Sequence, residues 1–133
     1  MNFLLDTHIC IHLITQKSLT LLQKFKAYSV GDIGISSITV AELQLGVQKS
    51  QVPEQNQQAL EQFLLPLIIV NFDSSAAAMY GKIKAKIDKY DTSLDILDTL
   101  IIAHALSLKA TLITNRIDKF QQVPNLEIEN WQN

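Results

Sequence analysis

Short apolar runs that each stop near a polar residue, separated by stretches of helical spacing, leave this chain few architectures. Phe3-Leu4-Leu5 stops at Asp6, Ile33-Gly34-Ile35 at Ser36, Leu67-Ile68-Ile69-Val70 shortly before Asp73, and Thr111-Leu112-Ile113-Thr114 at Asn115. Runs this short, apolar at successive positions, suit strands covered on both faces. Leu67–Val70 reads as the most clearly buried of them, and Leu126-Glu127-Ile128 as a last short strand. Between them lie helical segments: Ile9 to Ile14, Ser18 to about Tyr28, and Ser37 to Gln48 capped by Ser37 or Thr39. A fourth opens at Pro53 and runs to Leu65, a fifth is capped by Asp73 or Ser74 and reaches about Tyr90, and a sixth spans Ile96 to Leu108. Strands alternating with helices predict a mostly parallel sheet covered on both faces, with active sites at the carboxyl ends of the strands. Asp6 and Asp73 fall at such ends, and Asn115 follows the strand ending at Thr114.

With 133 residues there is room for one domain, and 47 % hydrophobic against 18 % charged residues excludes a disordered chain. Cys10, the single cysteine, can form neither an internal disulfide nor a cysteine-based zinc cluster. The first residues lack the basic segment of a signal peptide, and no apolar run approaches the ~20 residues that span a bilayer. A soluble cytoplasmic protein is the expectation. A net charge of −2 supplies no overall basic field for nucleic acid, although a metal-dependent nuclease can grip phosphate through its ion.

Three carboxylates fall where carboxylates are costly. Asp98 lies in Ile96-Leu97-Asp98-Thr99-Leu100-Ile101-Ile102-Ala103, a helix apolar nearly all round. No Lys or Arg stands three or four residues away, and Asp95 at i−3 repels it. A buried, unpaired carboxylate costs several kcal/mol or takes up a proton, and a divalent cation would resolve the conflict. Glu42 sits beside Ile38 and Leu45 on a partly apolar helix face, and Asp6 ends an apolar strand. Each alone also has a plainer role, as helix cap, rim charge or first-turn acid; together they point to one site. Oxygen-only ligation suits Mg²⁺ or Mn²⁺, whose chemistry at such sites is hydrolysis of phosphodiesters.

Leu4-Leu5-Asp6-Thr7, Ile38-Thr39-Val40-Ala41-Glu42-Leu43 with Gly46, Leu97-Asp98-Thr99-Leu100-Ile101-Ile102-Ala103-His104-Ala105 and Leu112-Ile113-Thr114-Asn115 resemble the successive motifs of PIN-domain proteins. The ending, Phe120 with Val123-Pro124-Asn125-Leu126 and Glu129-Asn130-Trp131, is similar to VapC toxins of bacterial toxin–antitoxin modules. The resemblance spans essentially the whole chain and implies one PIN domain over residues 1–133 with a three-layer α/β/α sandwich. It also implies a divalent-metal-dependent endoribonuclease that forms homodimers and is neutralised, in a higher assembly, by a VapB-type antitoxin. Asp6, Glu42 and Asp98 become the acidic centre, with Asp6 and Asp98 the metal ligands and Glu42 acting directly or through water.

Two departures bear on metal count. The fourth acid of many relatives is replaced by Arg116, and the acid often found shortly beyond it by Lys119. Asp118 could substitute, Asn115 could hold a water on the ion, and Asp95, where relatives commonly have Gly, could add charge from the other side. The expectation is one intact ion site and a weak second.

His8 and His12 stand four apart, but the zinc-protease pattern needs Glu directly after the first His, and position 9 is Ile. His8 is instead expected to line the acidic pocket, within reach of a phosphate. His104 reads as a core histidine, and Trp131 as an anchor for the last strand. Lys82, Lys84, Lys86 and Lys89 form the only local positive density, with Lys82 and Lys86 the candidates for RNA backbone contact. Apolar surface on the Ser18–Tyr28 and Pro53–Leu65 helices could form a groove for an antitoxin helix. Arg116 and Lys119 also leave room for a weakened PIN domain that binds RNA or antitoxin without cleaving. A haloacid-dehalogenase phosphatase would need Asp where His8 stands, and a phosphorelay receiver would leave Asp98 unexplained.

Overall fold

A computed structural model describes residues 1–29, 31–89 and 93–132. Its strands are β1 (Phe3–Leu5), β2 (Ile33–Ser36), β3 (Ile68–Val70), β4 (Thr111–Ile113) and β5 (Ile128–Glu129). They form one sheet in the order β3-β2-β1-β4-β5, and every neighbouring pair is parallel. Among the described residues seven helices accompany them: α1 (Thr7–Ile14), α2 (Leu19–Lys26), α3 (Ser37–Lys49), α4 (Pro53–Leu64), α5 (Ser74–Ile87), α6 (Ile96–Leu108) and α7 (Ile117–Phe120).

The alternation of strand side chains creates the three layers. Leu5 of β1 and Ile113 of β4 turn to one face and pack with Ile9, Leu13, Leu21, Leu43 and Leu60 from α1 to α4. Leu4 and Leu112, one residue earlier, turn to the other face and meet Ile83, Ile87, Ile102 and Ala105 from α5 and α6, with Phe120 of α7. Trp131 closes the first layer, fully buried and stacked on Tyr28 at 5.0 Å, as its anchoring role required. Cys10 is buried there too; burial, then the Asp6 charge, push its thiol well above the usual range, so it serves as packing.

Some of these readings change. Leu67–Val70 is not a deeply buried strand: β3 lies at the sheet edge, with Ile68 39 % and Ile69 45 % exposed. Apolar composition alone cannot distinguish an edge from a centre. The cap of α3 is Ser36, whose Oγ accepts from the Ile38 N–H at 3.0 Å. Ser37 has other work, since its Oγ accepts from the Phe72 N–H at 3.0 Å and ties α3 to the chain leaving β3. Helix α7 was not foreseen; at four residues it is too short to show periodicity. Helix α5 ends at Ile87, and Tyr90, its expected limit, lies outside the described residues.

Candidate active site

Strand order reverses between β1 and β4, which run side by side while their following helices leave to opposite faces. Such a switch point opens a crevice beyond the carboxyl ends of the strands. Asp6 leaves β1 there and caps α1, its Oδ1 accepting from the Ile9 N–H at 2.9 Å. Its Oδ2 accepts from the Thr114 hydroxyl, just past β4, at 2.5 Å. The carboxylate is 1 % exposed, so these two bonds decide where its charge points.

Asp98 reaches the same place from the first turn of α6. Asp95 caps that helix and takes the Asp98 N–H at 2.7 Å, while Leu94, Ile101 and Ile102 bury the turn around it. Asp98 is 7 % exposed. From the opposite side, Glu42 on α3 is half-buried and receives the Thr7 hydroxyl at 2.7 Å. A recess of about 70 Å³ is lined by Asp6, His8, Glu42, Asp95, Asp98 and Arg116. The three foremost candidates are therefore brought together, as are Asp95 and His8.

Others are not. The Asn115 amide donates to Gln132 Oε1 at 2.8 Å, and Asp118 is exposed on α7; neither lines the recess. Lys82 and Lys86 are exposed on α5, outside it, and Lys84 pairs with Asp88 at 2.8 Å. His12 does not join His8; its Nδ1 lies 2.7 Å from Gln132 Nε2.

Asp98 also requires a correction, because it is not unpaired. Arg116 Nη1 lies 3.0 Å from its Oδ1 and Lys119 Nζ 3.2 Å from its Oδ2. The lysine pairs by charge without hydrogen-bond alignment, so Oδ2 stays buried with no hydrogen bond. Arg116 Nη2 reaches Asp6 Oδ2 at 3.4 Å, so one guanidinium bridges both carboxylates. Helical spacing hid this, because the cations come from α7, beyond the next strand. Thr7 and Thr114, which orient Glu42 and Asp6, were also missed; the available signal was a hydroxyl residue just past the end of an apolar strand.

The residues fit a hard divalent ion. The carboxylates of Asp6 and Asp98 already converge on one cationic group, and Asp98 Oδ2 has lone pairs that accept no hydrogen bond. Among the described residues, no three His, Cys, Asp or Glu groups form a ready-made cluster, and Glu42 is turned to Thr7. Two direct carboxylates completed by waters is how Mg²⁺ is commonly held.

Adjoining the recess through Glu42, which lines both, an apolar groove of about 300 Å³ runs between α1, α3 and α4, lined by Ile11, Ile14, Leu43, Val47 and Leu60. The expected groove thus involves α4 but not α2, whose Leu21 is buried and whose Leu22 and Phe25 pack against the core.

Comparison with known proteins agrees with this architecture. The PIN domain family matches residues 3–126. Ribonuclease VapC2 of Rickettsia felis is 39 % identical, with 98 % of each chain covered. The tRNA(fMet)-specific endonuclease VapC of Shigella flexneri is 34 % identical at the same coverage. Among solved structures, VapBC2 from Rickettsia felis bound to a promoter DNA fragment superposes with a TM-score of 0.92 at 37 % identity, covering 98 % of this chain and 99 % of that one. DNA-bound VapBC from Salmonella typhimurium gives 0.93 at 34 % identity, with 98 % of each chain covered.

Proposed function

This chain belongs to the PIN-domain family, and on that premise we propose that it is a Mg²⁺- or Mn²⁺-dependent endoribonuclease, the toxin of a toxin–antitoxin pair. One observation carries the reading: Asp6 and Asp98, from elements 92 residues apart, converge on a single cation at the strand switch point, with Glu42 and Asp95 lining the same recess. A bound divalent ion would supply charge neutralisation at a scissile phosphodiester and acidify the attacking water. The chain's own part is positioning. Thr114 and the Ile9 amide fix the Asp6 carboxylate, and the Asp95 cap fixes the turn that carries Asp98. Glu42, steadied by Thr7 at the half-buried rim, orients the water or takes its proton. His8, exposed at the mouth, contacts a phosphate, while Lys82 and Lys86 steer the RNA backbone.

Four carboxylates line the recess against the two cations Arg116 and Lys119, a surplus of negative charge that attracts a dication. The site accordingly has one intact ion position and a weak second. The α1/α3/α4 groove suits an amphipathic helix of a VapB-type antitoxin, the kind of partner present in the VapBC neighbours. Ile96 and Leu97, 60 % and 42 % exposed beside the acids, favour a homodimer.

The test is incubation of antitoxin-free protein with total RNA and Mg²⁺ or EDTA, beside Asp6→Ala. Cleavage that needs the ion and Asp6 supports the reading; RNA left intact under both conditions refutes it. The pairing of Arg116 and Lys119 with Asp98 favours one rival, a weakened PIN domain that binds RNA or antitoxin without cutting. Ion-dependent cleavage lost in Asp98→Asn would exclude it.

A further inference from the structure

We propose that Arg116 is a tethered cation cap on the acid pocket: its guanidinium and the divalent ion compete for Asp6 and Asp98, so ion loading requires Arg116 to withdraw. The inference rests on the functional reading above and adds regulation of the same site.

The placement of the side chain is specific. The Thr114 hydroxyl that donates to Asp6 also accepts the Arg116 N–H at 3.1 Å, so the group that aims the carboxylate also anchors the arginine backbone. Arg116 caps α7, and Lys119, three residues on, faces the same acid from the same helix side. The Phe120 ring lies 4.6 Å from the guanidinium carbon, giving the planar cation a second surface to rest on. Helix α7 is thus a short arm that brings two cations to one acid.

The cap is also built to be displaced. A tight arginine–carboxylate pair is a bidentate fork with both bonds near 2.8 Å. Here the guanidinium spans two acids by one nitrogen each, at 3.0 and 3.4 Å, and its Nε is buried without a hydrogen-bond partner. Asp98 Oδ2 likewise has no hydrogen bond. A divalent ion would answer both carboxylates with twice the charge, and Arg116, 22 % exposed, has solvent to swing into. Lys119 would remain near Asp98 as the weaker of the two competitors.

Isothermal titration with Mn²⁺ in the absence of RNA tests the proposal on wild type, Arg116→Gln, Arg116→Lys and Asp98→Asn. The expected result is at least about tenfold tighter Mn²⁺ binding in Arg116→Gln, with Arg116→Lys, which keeps the charge, between the two. Lys119→Gln should tighten binding by a smaller factor. Equal or weaker affinity in Arg116→Gln overturns the cap while leaving the ion site in place. Absence of Mn²⁺ binding in every variant overturns the ion-dependent reading and the cap with it. Should Arg116→Gln fail to fold, judged by circular dichroism, Lys119→Gln and Arg116→Lys carry the comparison, and unchanged affinity in both overturns the cap.

Discussion

Replacing Asp98 by Asn separates a functional acid from a structural one, because the two roles predict opposite effects on stability. The substitution keeps the shape of a side chain that is 7 % exposed and removes only its charge. What is lost are the pairs with Arg116 at 3.0 Å and Lys119 at 3.2 Å. Those partners are 22 % and 33 % exposed against 7 % for Asp98, so solvent screens the pairs only in part and each is worth about 1–2 kcal/mol. What is regained is the penalty of keeping a carboxylate out of water, several kcal/mol for a buried ion, plus repulsion from Asp6, Asp95 and Glu42 around the same recess. Arg116 also keeps its contact with Asp6, so the gain offsets most or all of the loss. Urea unfolding in EDTA should therefore leave Asp98→Asn within about 1 kcal/mol of wild type or more stable, a midpoint shift of at most roughly 0.5 M downward. RNA cleavage in Mg²⁺ should fall by at least about 100-fold, or about 2.7 kcal/mol of barrier. A destabilisation above about 3 kcal/mol would refute the reasoning, since it would make Asp98 an anchor for Arg116 and α7 rather than an acid held for an ion.

Thr114→Val removes the hydroxyl shared by Asp6 and the Arg116 amide, and should cost about 1–3 kcal/mol in urea unfolding and weaken Mn²⁺ binding. Trp131→Ala empties a fully buried site against Phe3 and Tyr28, and should lower stability by about 3–5 kcal/mol on the same assay. Ala59→Glu, exposed on α4 at the apolar groove, should leave the urea midpoint unchanged yet abolish capture of the co-expressed antitoxin. His104 is held below its ordinary pKa of 6.5 by burial, against the raising effects of Asp73 and the Asn71 backbone. The unfolded chain therefore takes up its proton first, so this contribution is fully present above about pH 6.5 and is lost as pH falls through the lower folded value. His104→Gln should flatten that part of the stability-against-pH curve.

The layers were legible because strand alternation and helix spacing are local. Leu4 and Leu5, adjacent in sequence, go to opposite cores, and a run apolar at both positions announces that much. Edge position is not local. Ile68 and Ile69 look as apolar as Leu4 and Leu5, and only the strand order, which places β3 beside β2 and nothing beyond it, exposes them. The α3 cap went astray by one residue because two adjacent serines compete. Which of them caps depends on Phe72, 35 residues away, which claims the Ser37 hydroxyl.

The candidate site divides along the same line. Asp6, Glu42 and Asp98 stood out as acids in apolar company, and they do share one recess, since a carboxylate at a strand end or in an apolar helix has few places to go. Their counter-charges could not be found by the same rule. Searching three or four residues around Asp98 tests only its own helix, whereas Arg116 and Lys119 arrive across β4 on a helix too short to foresee. That error has a physical consequence. An unpaired buried acid is costly without an ion, but an acid paired with a displaceable arginine is not, so the apo protein can be stable with Arg116 and Lys119 answering Asp6 and Asp98. On the proposed function, need for the ion would then belong to catalysis rather than to folding. Chelation should accordingly abolish cleavage while leaving the unfolding midpoint nearly where it was, and the midpoint would collapse in EDTA only if the carboxylates lacked their own cations.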